Sequence, residues 1–324
     1  MLSSILSVSH SVSRTPGNLN STLGLPLALL TLDDSSEYAV FEMGVDHVGE
    51  MDILTSVFPP EIALITNIGL SHLEKFGSRE TIAREKGRIF LPQTAGFVLD
   101  DEEFLPYFRT VSDRITAVSS PFTDIEFLGL DGIRLSLGKE RFVMPTVGLH
   151  NIKDASLACA AARSLGIPDR EIAQGLSSMK TLFGRSRVVR EGSLTVIEDC
   201  YNASLDSVSD AIATLSNVHW NKNKHIVLGD MKELGNASRY AHRTVGRMLC
   251  SADCQYIYLY GSEMEEAYKV LYDNGQKEKA VYTPDFEVLS SSIRKETSHG
   301  DLFLLKGSRS MAMERLFDTF KEVG

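Results

Sequence analysis

The sequence predicts an α/β fold of two domains, each built on a mainly parallel sheet. Three observations carry this. Short apolar runs rich in β-branched and aromatic residues alternate with helical segments, as βαβ units require. Several of these runs, YAVFEMG, EIALITNIG, HIVLGDM and LFLLKGS among them, end in glycine and polar residues. That is the composition expected at strand carboxyl ends, where open α/β sheets collect ligands. The chain is also long enough, at 324 residues, to bury two separate cores.

The first residues carry Leu2, Ile5 and Leu6 at helical spacing and read as the tail of an amphipathic helix. Pro16, Gly17 and Gly24 then punctuate a loop. Asn18 and Asn20 are its side-chain hydrogen bonders, the usual role of asparagine in turns. A short helix from Pro26 to Leu32 should follow. A strand over 38–43, a helix over 47–57, a strand over 61–67 and a helix over 79–91 come next. FVLD (97–100) and ITAVS (115–119) are two further strands. From Phe122 to Val147 the pattern changes to short β runs with turns at Asp131-Gly132 and Gly138-Lys139. Asp-Gly between apolar runs is a hairpin signal, so a small antiparallel addition to the sheet is expected here.

Asn151 stands where it can cap an alanine-rich helix that ends near Gly166. Pro168 opens a shorter helix, and 182–189 reads as a linker into a new β run. Strands at 194–201, 225–231 and YIYLYG then alternate with helices, the first at 205–218. VYTP, LFLLKGSRS and a final helix complete a second, smaller domain of the dinucleotide-binding type.

Bulk properties narrow the functional classes. The net charge of −10 and a pI near 5.3 argue against general nucleic-acid binding or an anionic membrane partner. They leave room for a small anion held by a few local donors. Cys159, Cys200, Cys250 and Cys254 form no CxxC pair and show no zinc spacing. Four scattered thiols suit a reducing, cytoplasmic setting better than a disulfide scaffold. No apolar run approaches the roughly 18 residues of a membrane span, and the start lacks the basic region of a signal peptide.

The chemistry-bearing residues gather between Tyr38 and Phe90. Glu42 ends the first apolar run, Asn67 and His72 follow the second, and Lys86 lies on the basic helical segment after it. A carboxylate, an imidazole and a lysine delivered to one end of a sheet could form a metal-and-phosphate site. A buried carboxylate, a loop histidine and a surface lysine would look the same. GDMKELG (229–235) and LLKGSRS (304–310) also follow strands, and Lys306 and Arg309 could bind an anion there. Solvated loops are the alternative for both. Neither G-x-x-x-x-G-K-[ST] nor G-x-G-x-x-G occurs.

Taken in order, GNLNSTLGLPLALL, FEMGVDHVGEM, TNIGLSHLEKFGSRETIAREKGRIF, GLHNIKDASLACAAA, FGR, DCYNASLDSV, GDMKELG and LLKGSRSMAME resemble the Mur ligase family. The resemblance runs from about Arg14 to the end of the chain. It implies that family's central ATPase-type parallel-sheet domain at 1–185, incomplete at its start, and a Rossmann-like ligase domain at 186–324. It further implies a cytoplasmic, monomeric, ATP- and Mg2+-dependent ligase that couples D-alanyl-D-alanine to UDP-N-acetylmuramoyl-tripeptide through an acyl phosphate. On this resemblance Glu42, His72 and Lys86, the last as a carbamate, would be the metal-site and catalytic residues. Asn151, Arg185, Asp199, Tyr201 and Asn202 would hold the nucleotide. Lys306, Ser308 and Arg309 would face the dipeptide or the transferred phosphate, and Asn18 and Asn20 the muramoyl-peptide side. Magnesium prefers oxygen, so the ligand rules alone would not have selected His72.

The sequence departs from the family pattern in two places. The family's P-loop would lie just before the helix that opens the chain, with the UDP-gripping domain ahead of it. The chain therefore reads as N-terminally truncated and as inactive by itself, since a P-loop's amides and lysine are the main phosphate cradle. Ser204 and Leu205 also stand where the family usually has Asn-Pro. The alternatives are a non-catalytic binding remnant, half of a split ligase, another Mur-type ligase or, on the α/β pattern alone, a dinucleotide-dependent oxidoreductase.

Overall fold

The computed structural model describes residues 1–323. Its first half holds three small sheets. β1 (Val12–Arg14) pairs in parallel with β2 (Tyr38–Val40), Val12 opposite Tyr38. β3 (Ile62–Ile65), β4 (Ala95–Leu99) and β5 (Ile115–Val118) form a parallel sheet in that order. β6 (Thr123–Phe127), β7 (Ile133–Leu137) and β8 (Glu140–Met144) form an antiparallel sheet of their own.

That last sheet corrects the expectation of an antiparallel addition to the parallel one. The turn positions are as read, but β6 bonds only to β7. The apolar side chains of the meander, Ile133, Leu135, Leu137 and Met144, instead pack against the helices Leu2–Leu6, Asn151–Ser164 and Asp169–Ser177. β1 was not foreseen, because three residues of mixed character carry no alternation to read. The strand expected over 38–43 stops at Val40, so Glu42 lies in the loop beyond it. The strand expected over 61–67 likewise stops at Ile65, and the helix from Arg79 ends at Gly87. The short helix near Pro26 runs Gly24–Leu29.

The second half is one six-stranded sheet. Its strands are β9 (Arg187–Glu191), β10 (Leu194–Asp199), β11 (Lys224–Gly229), β12 (Tyr256–Tyr260), β13 (Ala280–Thr283) and β14 (Leu302–Lys306), in the order β13-β12-β11-β14-β10-β9. Only β9 runs antiparallel. β11 and β14 are buried along their whole length, as strands covered on both faces must be. Alternate residues serve alternate layers. Ile226, Leu228, Leu302 and Leu304 face the helices Leu205–Asn217, Ser238–Cys250 and Glu265–Asp273. Val227, Phe303 and Leu305 face Phe286–Glu296 and Leu316–Val323. Because β14 slots between β10 and β11, the carboxyl ends of strands remote in sequence become neighbours. This brings Asp199, Asp230 and Lys306 to one edge.

The two halves share apolar contact. Val147 is buried in the large core of the second half, and Leu70, Phe127 and Leu130 pack against that core.

Candidate active site

The first group of polar side chains surrounds the loop after β2. Glu42 N donates to Thr15 Oγ1 at 2.8 Å, and Asn20 Nδ2 donates to Glu42 Oε1 at 2.8 Å. Asn20 O in turn accepts from Gly44 N at 2.8 Å. Asn20 thereby ties the early loop to Glu42, while Asn18 stays exposed one turn away. Lys86 reaches this region from the helix Arg79–Gly87, its Nζ 3.4 Å from Asn67 O. Burial lowers the Lys86 pKa from its usual value, and the nearby Glu102 and Glu42 carboxylates offset only part of that.

Glu102 also accepts from Ile68 N at 3.1 Å, and Arg79 Nη2 donates to Ile68 O at 2.9 Å, so the loop after β3 is held from both sides. Sequence reasoning passed over Glu102. Its signal was present in the acidic run DDEE just beyond the strand FVL, a charge cluster at a carboxyl end.

His72 lies at the far end of the same loop. It adopts a left-handed backbone at φ 60°, which costs a non-glycine residue about 1–2 kcal/mol. Its Nδ1 is in ion-pair contact with the Glu233 carboxylate of the second half, at angles outside those of an ordinary hydrogen bond. The structure therefore brings Glu42 and Lys86 into one electrostatic neighbourhood and turns the His72 ring nitrogen toward the other half.

Asn151 begins the helix it was expected to cap. His150 occupies the cap position, and no side chain caps there. The Asn151 amide instead donates backward to Val147 O at 2.9 Å and Gly148 O at 3.2 Å, closing the turn before the helix.

The second group stands at the carboxyl ends of β10, β11 and β14. Lys306, only 2% exposed, is neutralised by Asp199 at 2.6 Å and donates to Asn202 O at 3.1 Å. A buried ammonium needs such a partner, since removing the counter-charge strands it in low dielectric. Asp199 also accepts from Ser186 N at 3.0 Å, and Glu198 accepts from Gly184 N at 3.0 Å and Arg187 Nε at 2.8 Å. These bonds latch the segment 183–187 onto β10. Gly184 is at φ +67°, and a Cβ there would sit 2.7 Å from Tyr201 N. Only glycine fits that approach. The Arg185 guanidinium lies over the Tyr201 ring at 4.4 Å, a cation–π contact.

GDMK and KGSRS form one unit. Ser308 N donates to Asp230 O at 3.1 Å, and Lys232 N donates to Ser308 Oγ at 2.8 Å. Asp230 accepts from Glu263 N, Met264 N and Lys232 Nζ. Gly229 and Gly307 meet at the ends of β11 and β14, where a Cβ on Gly307 would come within 3.2 Å of Gly229 Cα. Arg309 is exposed and paired with Glu314 at 2.6 Å, and its guanidinium lies 5.9 Å from the Phe183 ring centroid.

The four thiols are free: Cys200 is buried between Asp199 and Tyr201, Cys159 packs in the core of the first half, and Cys250 and Cys254 pack in or on that of the second. Burial pushes Cys200 up to about 12 and Cys159 and Cys254 up to about 11, which marks them as packing residues. Among the described residues Asp46, His47 and Glu50 place ligand atoms within 4.8 Å of one another. Those atoms already have work: Glu50 Oε2 accepts from the backbone of Asp46 and His47, and Asp46 pairs with Lys75. Near Lys86, Glu42 could give an oxygen ligand of the kind magnesium takes, and an amine whose charged form is disfavoured could add carbon dioxide to give a second carboxylate-like group.

Residues 1–162 match the Mur ligase middle domain, and residues 184–309 match the Mur ligase glutamate ligase domain. The UDP-N-acetylmuramoyl-tripeptide–D-alanyl-D-alanine ligase of Treponema pallidum is 35% identical over 328 residues, covering 98% of this chain and 70% of that protein. The ligase of the same name from Bacillus subtilis is 31% identical, covering 98% and 71%. Among solved structures, MurF from Acinetobacter baumannii superposes with a TM-score of 0.88 at 30% identity, covering 99% of this chain and 73% of that one. MurF ligase from Thermotoga maritima, solved in complex with ADP, superposes at 0.82 with 25% identity, covering 99% and 75%. Among the described residues no helix is long and apolar enough to cross a membrane. With both halves matched and the architecture shared, the chain belongs to the Mur ligase family.

Proposed function

We propose that this chain functions in the ATP-dependent ligation of D-alanyl-D-alanine to UDP-N-acetylmuramoyl-tripeptide in cytoplasmic peptidoglycan precursor synthesis, contributing the residues named below rather than the complete phosphate cradle. The observation that carries the proposal is similarity to ligases of that name along 98% of the chain. In this reading the tripeptide carboxylate attacks the γ-phosphorus of ATP, forming an acyl phosphate and releasing ADP. The dipeptide amine then attacks the acyl carbon, its proton leaves, and the tetrahedral intermediate expels phosphate to give the new amide. Catalysis of this kind rests on positioning and charge stabilisation.

The residues divide that work. Residues 1–185 supply the ATP and metal side, and 186–324 the ligase domain that faces it. Glu42, His72 and Lys86 are the magnesium-site residues, with Lys86 as a carbamate. Bound magnesium supplies charge neutralisation between the phosphates and the carboxylate. The depressed Lys86 pKa supports the carbamate, because only the neutral amine attacks carbon dioxide. Arg185 stacked on Tyr201, with Asp199, Asn202 and Asn151, forms the nucleotide side. Arg309 is exposed and faces the dipeptide or the transferred phosphate, while Lys306 and Ser308, buried and already engaged by Asp199 and Lys232, set the position of that loop from behind. Asn20 and Asn18 line the muramoyl-peptide side, Asn20 also orienting Glu42. The oxidoreductase alternative falls with the family assignment.

The test is Glu42→Ala and Lys86→Ala in the intact protein, followed by ATP-dependent product formation. Both should lose about 100-fold or more of their turnover. Glu42→Ala should also unfold within about 0.5 kcal/mol of the parent, because Glu42 is exposed. Near-parental turnover in either variant would overturn its assignment.

A further inference from the structure

The contact between His72 and Glu233 joins the two halves, and the reaction as described above makes no use of Glu233. Both residues hold left-handed backbones, His72 at φ 60° and Glu233 at φ 63°. Such conformations persist in non-glycine residues only when their surroundings enforce them. Here the enforcement is mutual. Glu74 N, two residues beyond His72, donates to Glu233 O at 3.1 Å, so the backbone beside the histidine is bonded to the backbone of the glutamate. Gly235 closes on Glu74, where even a Cβ would lie 3.3 Å away.

Within this clamp His72 Nδ1 is buried and in ion-pair contact with the Glu233 carboxylate, though outside hydrogen-bond angles. Among the described residues Nε2 has no hydrogen-bond or ion-pair partner. Lys75, the nearby cation, is engaged by Asp46. Histidines that ligate metals usually present the far ring nitrogen to a carboxylate, which fixes the tautomer and the ring orientation.

We infer that Glu233 is a positioning residue for His72. It keeps Nδ1 as the protonated nitrogen, leaves the Nε2 lone pair for a cation, and holds the ring at one angle. The inference rests on the reading of His72 as a magnesium-site residue. Its consequence is that a cation site built on the first half takes its orienting carboxylate from the second, so the site is fully formed only when the GDMKELG loop is docked.

The test uses the protein labelled with 15N-histidine, together with Mn2+ alone as the probe. In long-range 1H–15N spectra, with the His72 signals assigned through His72→Ala, the parent should show the Nδ1–H tautomer. Glu233→Ala should give a mixture of tautomers and weaken Mn2+ binding, followed by electron paramagnetic resonance, about 10- to 100-fold. Glu233→Gln keeps an acceptor and should restore most of both signals, which a merely structural role for the residue would not require. If Glu42→Ala and His72→Ala leave Mn2+ affinity unchanged, the magnesium-site reading itself is overturned. If those two weaken it while Glu233→Ala changes neither tautomer nor affinity, only the role of Glu233 is overturned.

Discussion

Lys86 shows how one side chain acquires chemistry from its surroundings. Burial disfavours its charged form, and the carboxylates of Glu102 and Glu42 recover only part of that loss. The folded-state pKa therefore lies below the ordinary 10.5. Between the two values the unfolded chain keeps a proton that the folded chain has released. Stability attributable to Lys86 must rise with pH across that window, by at most about 1.4 kcal/mol per pH unit. With carbon dioxide excluded, so that Lys86 is the free amine, Lys86→Met should abolish this rise. Urea unfolding of parent and variant, in steps up to about pH 10, measures it as a difference that converges as pH increases, and a pH-independent difference would contradict the burial argument. At this scale the candidate residues were legible as types at strand ends, but their partners were not. Nothing in the spacing between His72 and Glu233, or between Asp199 and Lys306, announces a contact, because each pair meets only when separate strands and loops are folded together.

At the scale of elements, the departure at Ser204-Leu205 finds a local explanation. Ser204 takes the extended conformation that precedes a helix, and its hydroxyl accepts from Ser207 N, while the Ser207 hydroxyl accepts from Ser204 N at 3.0 Å. The pair is a reciprocal cap for the helix Leu205–Asn217. Ser204→Ala should lower stability by about 1 kcal/mol, and Ser204→Asn should stay within a few tenths, since asparagine caps equally well. Chemical denaturation of the two variants checks this, and equal losses would count against the cap. Element type was largely readable from apolar runs and their period, and element ends were less so. Phe41 to Gly44 look like strand because they continue an apolar run, yet β2 ends where its partner among the described residues, the three-residue β1, runs out.

On the scale of the whole molecule, the two halves are joined by more than the polar clasp. Val147, Leu70, Phe127 and Leu130 contribute to or pack on the core of the second half. Multi-domain chains commonly unfold in steps, but apolar contact across the seam predicts that these two halves unfold together. The chain has one tryptophan, Trp220, whose Nε1 donates to Gly300 O at 2.8 Å within the second half. Its fluorescence reports that half, while far-ultraviolet circular dichroism reports both. The two unfolding curves should coincide in urea, and midpoints separated beyond error would show that the halves melt independently.

The sequence by itself determined the class of the fold, the alternation of strands and helices, the family, and the loops on which the chemistry sits. These are local or ordered along the chain, so composition and periodicity record them. The tertiary structure decided the separation of the antiparallel meander from the parallel sheet, the insertion of β14 between β10 and β11, and the pairing of Lys306 with Asp199. It also decided the meeting of His72 with Glu233. Each depends on which surfaces bury one another and which buried charge must find a counter-charge. Those are long-range conditions that no window of sequence contains.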